Sequence, residues 1–179
     1  MKTIVVYSSI YGSTKKYAEW IADELKCDLK DKKGISLDEL MQYDAIVYGG
    51  GLYAGGVNGI EILSKNFDKL KNKKLVLYTC GLSDPKLEEN INNIRKHISN
   101  NFNEEMMNKI KIFHLRGGMD YSKLSLKHSM MMKMLKTMIL KKDKSKLSEE
   151  EKGILDTFGT AIDFTDKDTI KPIIDYLEN

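Results

Sequence analysis

A loop rich in hydroxyl side chains, Ser8–Thr14, contains the residue types in this sequence that most clearly indicate ligand binding. It follows a short β-branched run, Ile4–Tyr7, and leads directly into a segment whose apolar residues have helical spacing. Backbone N–H groups at the positive end of a helix, together with hydroxyl donors, can surround an anion. Because the loop lacks the lysine of G-x-x-x-x-G-K-[ST], we expect a phosphate monoester that is held, not a triphosphate that is hydrolysed. The plainer alternative is that the hydroxyls only cap the helix.

A glycine-rich stretch, Tyr48–Gly59, holds six of the 13 glycines of the chain. Residues 49–54 match G-x-G-x-x-G/A, which binds dinucleotides when it follows the first strand and an acidic residue closes the second strand. Here the pattern follows the third predicted strand, and Asp68 lies inside a predicted helix. A dinucleotide turn is therefore not indicated, and we interpret these glycines as backbone that can approach a flat ligand closely.

Alternating strands and helices must position these two loops. The predicted strands are Ile4–Tyr7, Cys27–Lys30, Asp44–Gly50, Lys74–Cys80 and Lys109–Leu115. The predicted helices are Thr14–Leu25, a short one after Ser36, and the segments Ile60–Leu70, Leu87–Ile98 and Thr169–Leu177. This alternation predicts a parallel sheet that is covered on both faces and connected by right-handed crossovers. Ligands bind such sheets at the carboxyl ends of the strands, which makes the loops there the candidate site.

The loop Ser9–Thr14 resembles the S/T-x-T-G-x-T phosphate loop of flavodoxins, in the same place after the first strand. Tyr11 departs from that pattern by replacing the usual threonine, which removes one side-chain donor. The resemblance implies an α/β, flavodoxin-like, doubly wound five-stranded parallel sheet of order 2-1-3-4-5 in a single domain, 1–179, with FMN as the cofactor. The residues that it implies for cofactor binding are Ser9, Ile10, Tyr11, Gly12, Ser13, Thr14, Gly50, Gly51, Leu52, Tyr53, Ala54, Thr79, Cys80, Gly81, Leu82 and Ser83.

The surroundings of the flavin ring distinguish two functions for such a fold. Tyr53 corresponds to a position where flavodoxins commonly place an aromatic side chain against one ring face, although it could also be an ordinary surface tyrosine. The loop Thr79–Pro85 has no tyrosine for the other face, and its one acidic residue is Asp84. Negative charge near a flavin disfavours its anionic reduced form. Because acidic residues are few here, we expect a less negative reduction potential. Because the second tyrosine is missing, we expect one face of the flavin ring to be open. Both features favour an enzyme over a low-potential electron shuttle. Cys80 is predicted to be a buried strand-end cysteine and not a redox thiol.

An insertion of about residues 117–153 separates the fifth strand from the last helix. Arg116, just before it, could neutralise a carboxylate or the reduced flavin, or could lie at the surface. Residues 123–146 carry eight lysines and one aspartate, so this segment has a charge of +7 while the whole chain has +3. A helix over 122–142 would place on one face the side chains of Met131, Met132, Leu135, Met138 and Ile139.

Three interpretations of this Met/Lys helix remain open. It could rest on an anionic membrane surface, hold an apolar ligand or partner, or pack on its own domain with the lysines in solvent. We favour the last interpretation. The spacing of Ser148 and Glu151 predicts a capping box that begins a further helix.

Composition excludes several other functions. The chain has 179 residues, of which 41% are hydrophobic and 31% charged, as expected of a soluble globular protein, and we expect a cytoplasmic location with reduced cysteines. No apolar run approaches the roughly 20 residues of a membrane span, and the N-terminus lacks the pattern of a signal peptide. The three histidines are scattered, so no metal site is predicted. Arginines and aromatics are sparse among the lysines of 123–146, so we expect no nucleic-acid binding.

The combination of an FMN fold with a basic insertion resembles the flavodoxin-type, menaquinone-dependent protoporphyrinogen dehydrogenases. The resemblance includes Arg116-Gly117, the Met/Lys helix and the segment Asp163–Asp166. It implies an FMN oxidoreductase of haem biosynthesis, with a quinone or a redox protein as electron partner and peripheral membrane contact through 122–142. No catalytic residue is assigned, because the flavin supplies the reactivity. The alternative is a flavodoxin electron carrier, which the sequence pI of about 8.6 disfavours because carriers are generally acidic.

Overall fold

Five parallel strands form the centre of the computed structural model, which describes residues 1–53 and 55–179. The strands of this sheet are β1 (Thr3–Ser8), β2 (Asp28–Asp31), β3 (Ala45–Tyr53), β4 (Gly56–Val57), β5 (Lys74–Gly81) and β6 (Lys111–Arg116). The order is β2-β1-β3-β5-β6, and the two-residue strand β4 pairs antiparallel with the end of β3. Apart from this extra strand, the predicted doubly wound order is confirmed.

Helices cover both faces of the sheet. In the described chain they are α1 (Ser13–Leu25), α2 (Leu37–Leu40), α3 (Glu61–Ser64), α4 (Phe67–Leu70), α5 (Glu88–Ser99), α6 (Glu104–Lys109), α7 (Leu126–Leu140), α8 (Glu149–Thr157) and α9 (Lys171–Glu178). One core cluster joins α1 and α9 to alternate strand residues such as Val47 and Tyr78. A second cluster joins helices α2 to α5 to the opposite set, such as Tyr48 and Leu77. Burial on both faces explains the continuous apolar runs of the central strands.

Several elements differ from the prediction: the helix α6 was not predicted, and the strand predicted from Lys109 begins at Lys111. Two other differences have a local reason. β3 continues three residues beyond Gly50, because its glycines remain extended and pair with β5 up to Cys80. The helix predicted over 60–70 is instead two short helices, α3 and α4. Asn66 separates them with a non-helical backbone, and its side-chain amide donates a 2.8 Å hydrogen bond to the carbonyl of Ile62.

The insertion after β6 contains a small sheet as well as helices. β7 (Gly118–Asp120) and β8 (Ala161–Asp163) pair antiparallel, and α7 and α8 lie between them in sequence. The predicted capping box is confirmed, since Ser148 and Glu151 each bond the backbone of the other at the start of α8. The inserted unit continues past Gly153 to the end of β8. None of the helices in the described residues is both long and apolar enough to cross a membrane.

Candidate functional site

A cavity of about 680 Å³ opens beside the loops that follow β1, β3, β5 and β6, and the insertion forms its outer wall. The predicted site residues that line it are Tyr11, Ser13, Thr14, Leu52, Tyr53 and the range Cys80–Ser83. Those that the structure places outside the lining are Ser9, Ile10, Gly12, Gly50, Gly51 and Thr79. Ala54 lies outside the described residues. The structure therefore gathers residues from three predicted loops around one space.

The loop between β1 and α1 has the geometry of an anion site. Gly12 has a φ of 101°, a left-handed conformation that favours glycine, and α1 begins without a side-chain cap among the described residues. The N–H of Gly12 donates to Ser9 Oγ at 3.1 Å, and the N–H of Ile10 donates to Tyr53 Oη at 3.3 Å. Uncapped N–H groups at the start of a 13-residue helix suit a phosphate monoester. The uncapped N–H groups at the start of α1 therefore fit the phosphate of FMN.

Three aromatic side chains, Tyr11, Tyr53 and His128, form what we name the aromatic cluster. The rings of Tyr53 and His128 are stacked, with centroids 5.9 Å apart and planes 3° apart, and Tyr11 meets both rings edge-on. Tyr11 Oη lies 2.5 Å from His128 Nδ1 and accepts the N–H of Ser125 at 3.2 Å. The hydroxyl of Tyr11 therefore links the phosphate loop to the start of α7 through these hydrogen bonds.

His128 was missed from the sequence, because 117 residues separate it from Tyr11. The residues around an isolated histidine in a Met/Lys helix do not indicate that it contacts Tyr11. One face of Tyr53 is turned toward His128, and the contact of Tyr53 with the flavin ring stays a prediction.

The loop after β5 holds its one acidic residue in an ion pair. Arg116 Nη1 lies 3.2 Å from Asp84 Oδ2, and Arg116 Nε donates to the carbonyl of Leu82 at 3.1 Å. The guanidinium also lies 3.8 Å from the ring centroid of Phe164. About one third of each charged side chain is exposed. Arg116 is therefore a fixed wall residue whose charge offsets the one acid of the loop.

Cys80 lies in the cavity wall as a structural thiol. It is 5% exposed, and burial raises its pKa to about 12, with a hydrogen bond from Thr14 opposing the shift. A thiol with this pKa is protonated near pH 7 and is a poor nucleophile. The structure therefore agrees with the prediction of a buried strand-end cysteine.

Thr79 faces away from the cavity. Its side chain is fully buried, and its hydroxyl lies 2.8 Å from His114 Nδ1. Burial, and to a lesser extent the charge of Arg95, lowers the pKa of His114 to about 4, so this imidazole is neutral near pH 7. The Thr79 hydroxyl thus contacts His114 in the sheet interior, and its contact with the cofactor stays a prediction.

The glycines of β3 make room for side chains of the protein itself. A Cβ at Gly49 would lie 2.1 Å from Cζ of Tyr78, and a Cβ at Gly50 would lie 2.3 Å from Cγ1 of Val57. Side chains of the protein therefore fill the space that a Cβ would take at these two glycines. The contacts of Gly50 and Gly51 with the cofactor stay a prediction.

The helix α7 places its apolar face over the cavity. The side chains of α7 in the cavity wall include the partly buried Met131, Met132 and Leu135, while Ile139 is buried beside them. Met134 and Met138 also line the cavity but are 62% and 59% exposed. On the opposite side Leu126 is 90% exposed and Met130 is 71% exposed. The helix is therefore apolar on two sides, one facing the cavity and one facing solvent.

The described residues contain no cluster of three side chains suited to a metal ion.

Comparisons with known proteins agree with this architecture. The flavodoxin domain family matches residues 4–148, so the chain belongs to that family. An uncharacterized protein of Methanocaldococcus jannaschii is 34% identical over 84 residues, which are 45% of this chain and 55% of that protein. The chain thus spans about half the length of the curated relative that it matches.

Solved structures of flavodoxin-like proteins are also similar to the chain. A WrbA-like flavodoxin of Agrobacterium tumefaciens is 26% identical, with a TM-score of 0.41 over 54% of this chain and 69% of that one. Oxidised flavodoxin 1 of Bacillus cereus is 17% identical, with a TM-score of 0.46 over 65% and 84%. A flavoprotein of Lactobacillus acidophilus, solved in complex with FMN, is 20% identical, with a TM-score of 0.41 over 64% and 91%.

Membership of the flavodoxin domain family confirms the predicted cofactor, FMN. The donors of the phosphate loop and the adjoining cavity fit that cofactor. The narrower resemblance to protoporphyrinogen dehydrogenases stays a hypothesis.

Proposed function

We propose that this member of the flavodoxin domain family is an FMN-dependent oxidoreductase that takes two electrons from an organic substrate and passes them to a quinone. Protoporphyrinogen IX is the candidate substrate. The observation that carries the proposal is the apolar wall that α7 and α8 build over the cavity, with Leu135 and Ile154 among its residues. An electron carrier has no need of an enclosed apolar space beside its flavin.

The residues of the chain have separable tasks in this proposal. When bound, FMN supplies the redox chemistry. The phosphate loop binds the cofactor and orients it, and the ion pair of Arg116 with Asp84 keeps net negative charge away from the ring. Leu82 and the methionines of α7 exclude water and present an adaptable apolar surface to the substrate. A water-poor cavity strengthens the electrostatic contacts inside it.

Turnover under anaerobic conditions tests the proposal. FMN-loaded protein is expected to convert protoporphyrinogen IX to fluorescent protoporphyrin only when a menaquinone analogue is present. The conversion needs three successive two-electron oxidations, and one quinone accepts the electrons and protons of each round and is reduced to the quinol. The same protein without the quinone is the control. An FMN-loaded protein that reduces no quinone, yet exchanges electrons with a redox protein, would instead identify a carrier.

We also propose that α7 contacts an anionic membrane from its solvent-facing side, where a lipid-soluble quinone is available. The exposed side chains of Leu126 and Met130 project from a segment, 123–146, that carries eight lysines and one aspartate. Apolar side chains among basic residues suit the boundary between acyl chains and anionic headgroups.

Flotation with vesicles tests this contact. Replacing both Leu126 and Met130 with glutamate is expected to lower partitioning onto phosphatidylserine-containing vesicles by roughly tenfold or more, since each buried apolar side chain contributes about 1.5–3 kcal/mol. Met41→Glu is the matched control, because Met41 is 44% exposed and lies outside the insertion. Equal flotation of the double variant and the wild type would contradict the contact.

A further inference from the structure

Tyr53 connects the phosphate loop to the insertion through opposite ends of its side chain. Its hydroxyl oxygen accepts the N–H of Ile10 at 3.3 Å, and its ring stacks on His128 of α7. Burial raises the pKa of Tyr53, and backbone hydrogen bonds from Ile10 and Tyr11 oppose part of that rise. The phenol is therefore neutral near pH 7 and is placed where two successive N–H groups of the loop converge.

Those N–H groups belong to the loop that fits the phosphate of FMN. Ile10 and Tyr11 lie within Ser9–Thr14, the loop that precedes the uncapped start of α1. Successive backbone N–H groups before a helix form a concave site for an anion. One N–H cannot donate with good geometry to a phenol oxygen and to a phosphate oxygen at the same time. A charged acceptor forms the stronger bond, so the phosphate is the favoured partner.

Tyr53 has other contacts that remain when its hydroxyl loses the loop. Its ring meets Tyr11 edge-on at 5.9 Å in addition to its stack on His128. Gly51 leaves room for the ring, since a Cβ there would lie 2.5 Å from Cε2 of Tyr53. A small movement of the phenol away from Ile10 therefore does not require the ring to leave the aromatic cluster.

We propose that the hydroxyl of Tyr53 competes with the phosphate of FMN for the backbone donors of the loop, so that Tyr53 is a positioning residue that sets cofactor affinity. The proposal rests on FMN being the cofactor. It predicts an unusual sign: deleting a hydroxyl group from the wall of the site tightens binding.

The test compares three ligands on Tyr53→Phe, which keeps the ring and removes only the oxygen. The expected result is a roughly twofold to tenfold lower Kd for FMN and for inorganic phosphate, the range of one net hydrogen bond. Riboflavin lacks the phosphate, so its Kd is expected to be unchanged. Tyr121→Phe is the matched control, because this tyrosine of the insertion packs on Phe158 at 4.9 Å and lies away from the loop. It should leave all three affinities as in the wild type.

Equal or weaker binding of FMN and phosphate by Tyr53→Phe would overturn the competition. An equal change for FMN and riboflavin would also overturn it, because the ring and not the phosphate would then be responsible. A second measurement uses the wild type, in which NMR resonances of the Ile10 amide and the Tyr53 ring should move along one phosphate titration curve. A Tyr53 resonance that does not shift when phosphate is added contradicts the proposal. Failure of the wild type to bind FMN would refute the proposed function, while the phosphate titration still decides the competition.

Discussion

Replacing Gly49 with alanine is expected to lower the free energy of unfolding by about 3 kcal/mol, the upper part of the usual range for an overpacked core. The new Cβ would lie 2.1 Å from the ring of Tyr78, which is fully buried between the central strands and α1. Neither partner can move easily, because β3 pairs with strands on both sides. Urea unfolding followed by circular dichroism measures the change.

The same substitution is expected to weaken FMN binding. Tyr78 Oη donates to the carbonyl of Thr14 at 2.9 Å, so displacing the ring disturbs the first turn of α1 beside the phosphate loop. Gly34→Ala is the matched control, since a Cβ at Gly34 meets no atom within 4 Å. That variant should be neutral or slightly stabilising, by up to about 1 kcal/mol. If the two variants unfold at the same urea concentration, the account of the β3 glycines is wrong.

Replacing Leu135 with glutamate is expected to lower kcat/KM for quinone-dependent turnover by roughly tenfold or more. Leu135 lies in the cavity wall on the inner side of α7, and a carboxylate there would have to lose water when an apolar substrate enters. An energetic penalty of about 1.4 kcal/mol already corresponds to a tenfold loss of rate. Steady-state kinetics with a water-soluble quinone measures the effect without requiring a membrane.

Thr137→Glu is the control for this prediction. Thr137 lies on the same helix but is exposed, and its hydroxyl donates to the carbonyl of Lys133 at 2.9 Å. The Thr137→Glu substitution introduces the same charge outside the cavity, so turnover should remain at the wild-type level. FMN content should be equal in both variants, because the phosphate loop is untouched. Equal turnover by Leu135→Glu and the wild type would contradict a substrate site beneath α7.

The sheet could be predicted from the sequence because its determinants are local. Buried strands give short apolar runs, such as Lys74–Cys80, and the helices between them give the 3.6-residue period. The phosphate loop was recognisable for the same reason, since its donors are consecutive and precede a helix. The short strands β7 and β8 were not predicted, because three residues are too few to establish a period.

The candidate site could be predicted only in part, because its contacts join distant residues. The glycines of β3 are visible in the sequence, but nothing local shows that Tyr78 occupies the space beside Gly49. In the same way, the bond between Tyr11 and His128 depends on how the insertion returns to the sheet. The sequence shows that α7 has an apolar face, and the structure is needed to show which side chains of that helix face the cavity.

We propose that the quinone, like the organic substrate before it, binds beside FMN in the cavity beneath α7, and reoxidation of the reduced, FMN-loaded protein tests this proposal. Stopped-flow absorbance of the flavin, recorded without oxygen, gives the rate at increasing concentrations of a water-soluble quinone. We expect the rate to saturate, because the quinone must occupy the cavity first. We also expect Leu135→Glu to lower the rate at subsaturating quinone roughly tenfold or more. A rate that rises linearly with quinone concentration and is the same in Leu135→Glu would contradict it.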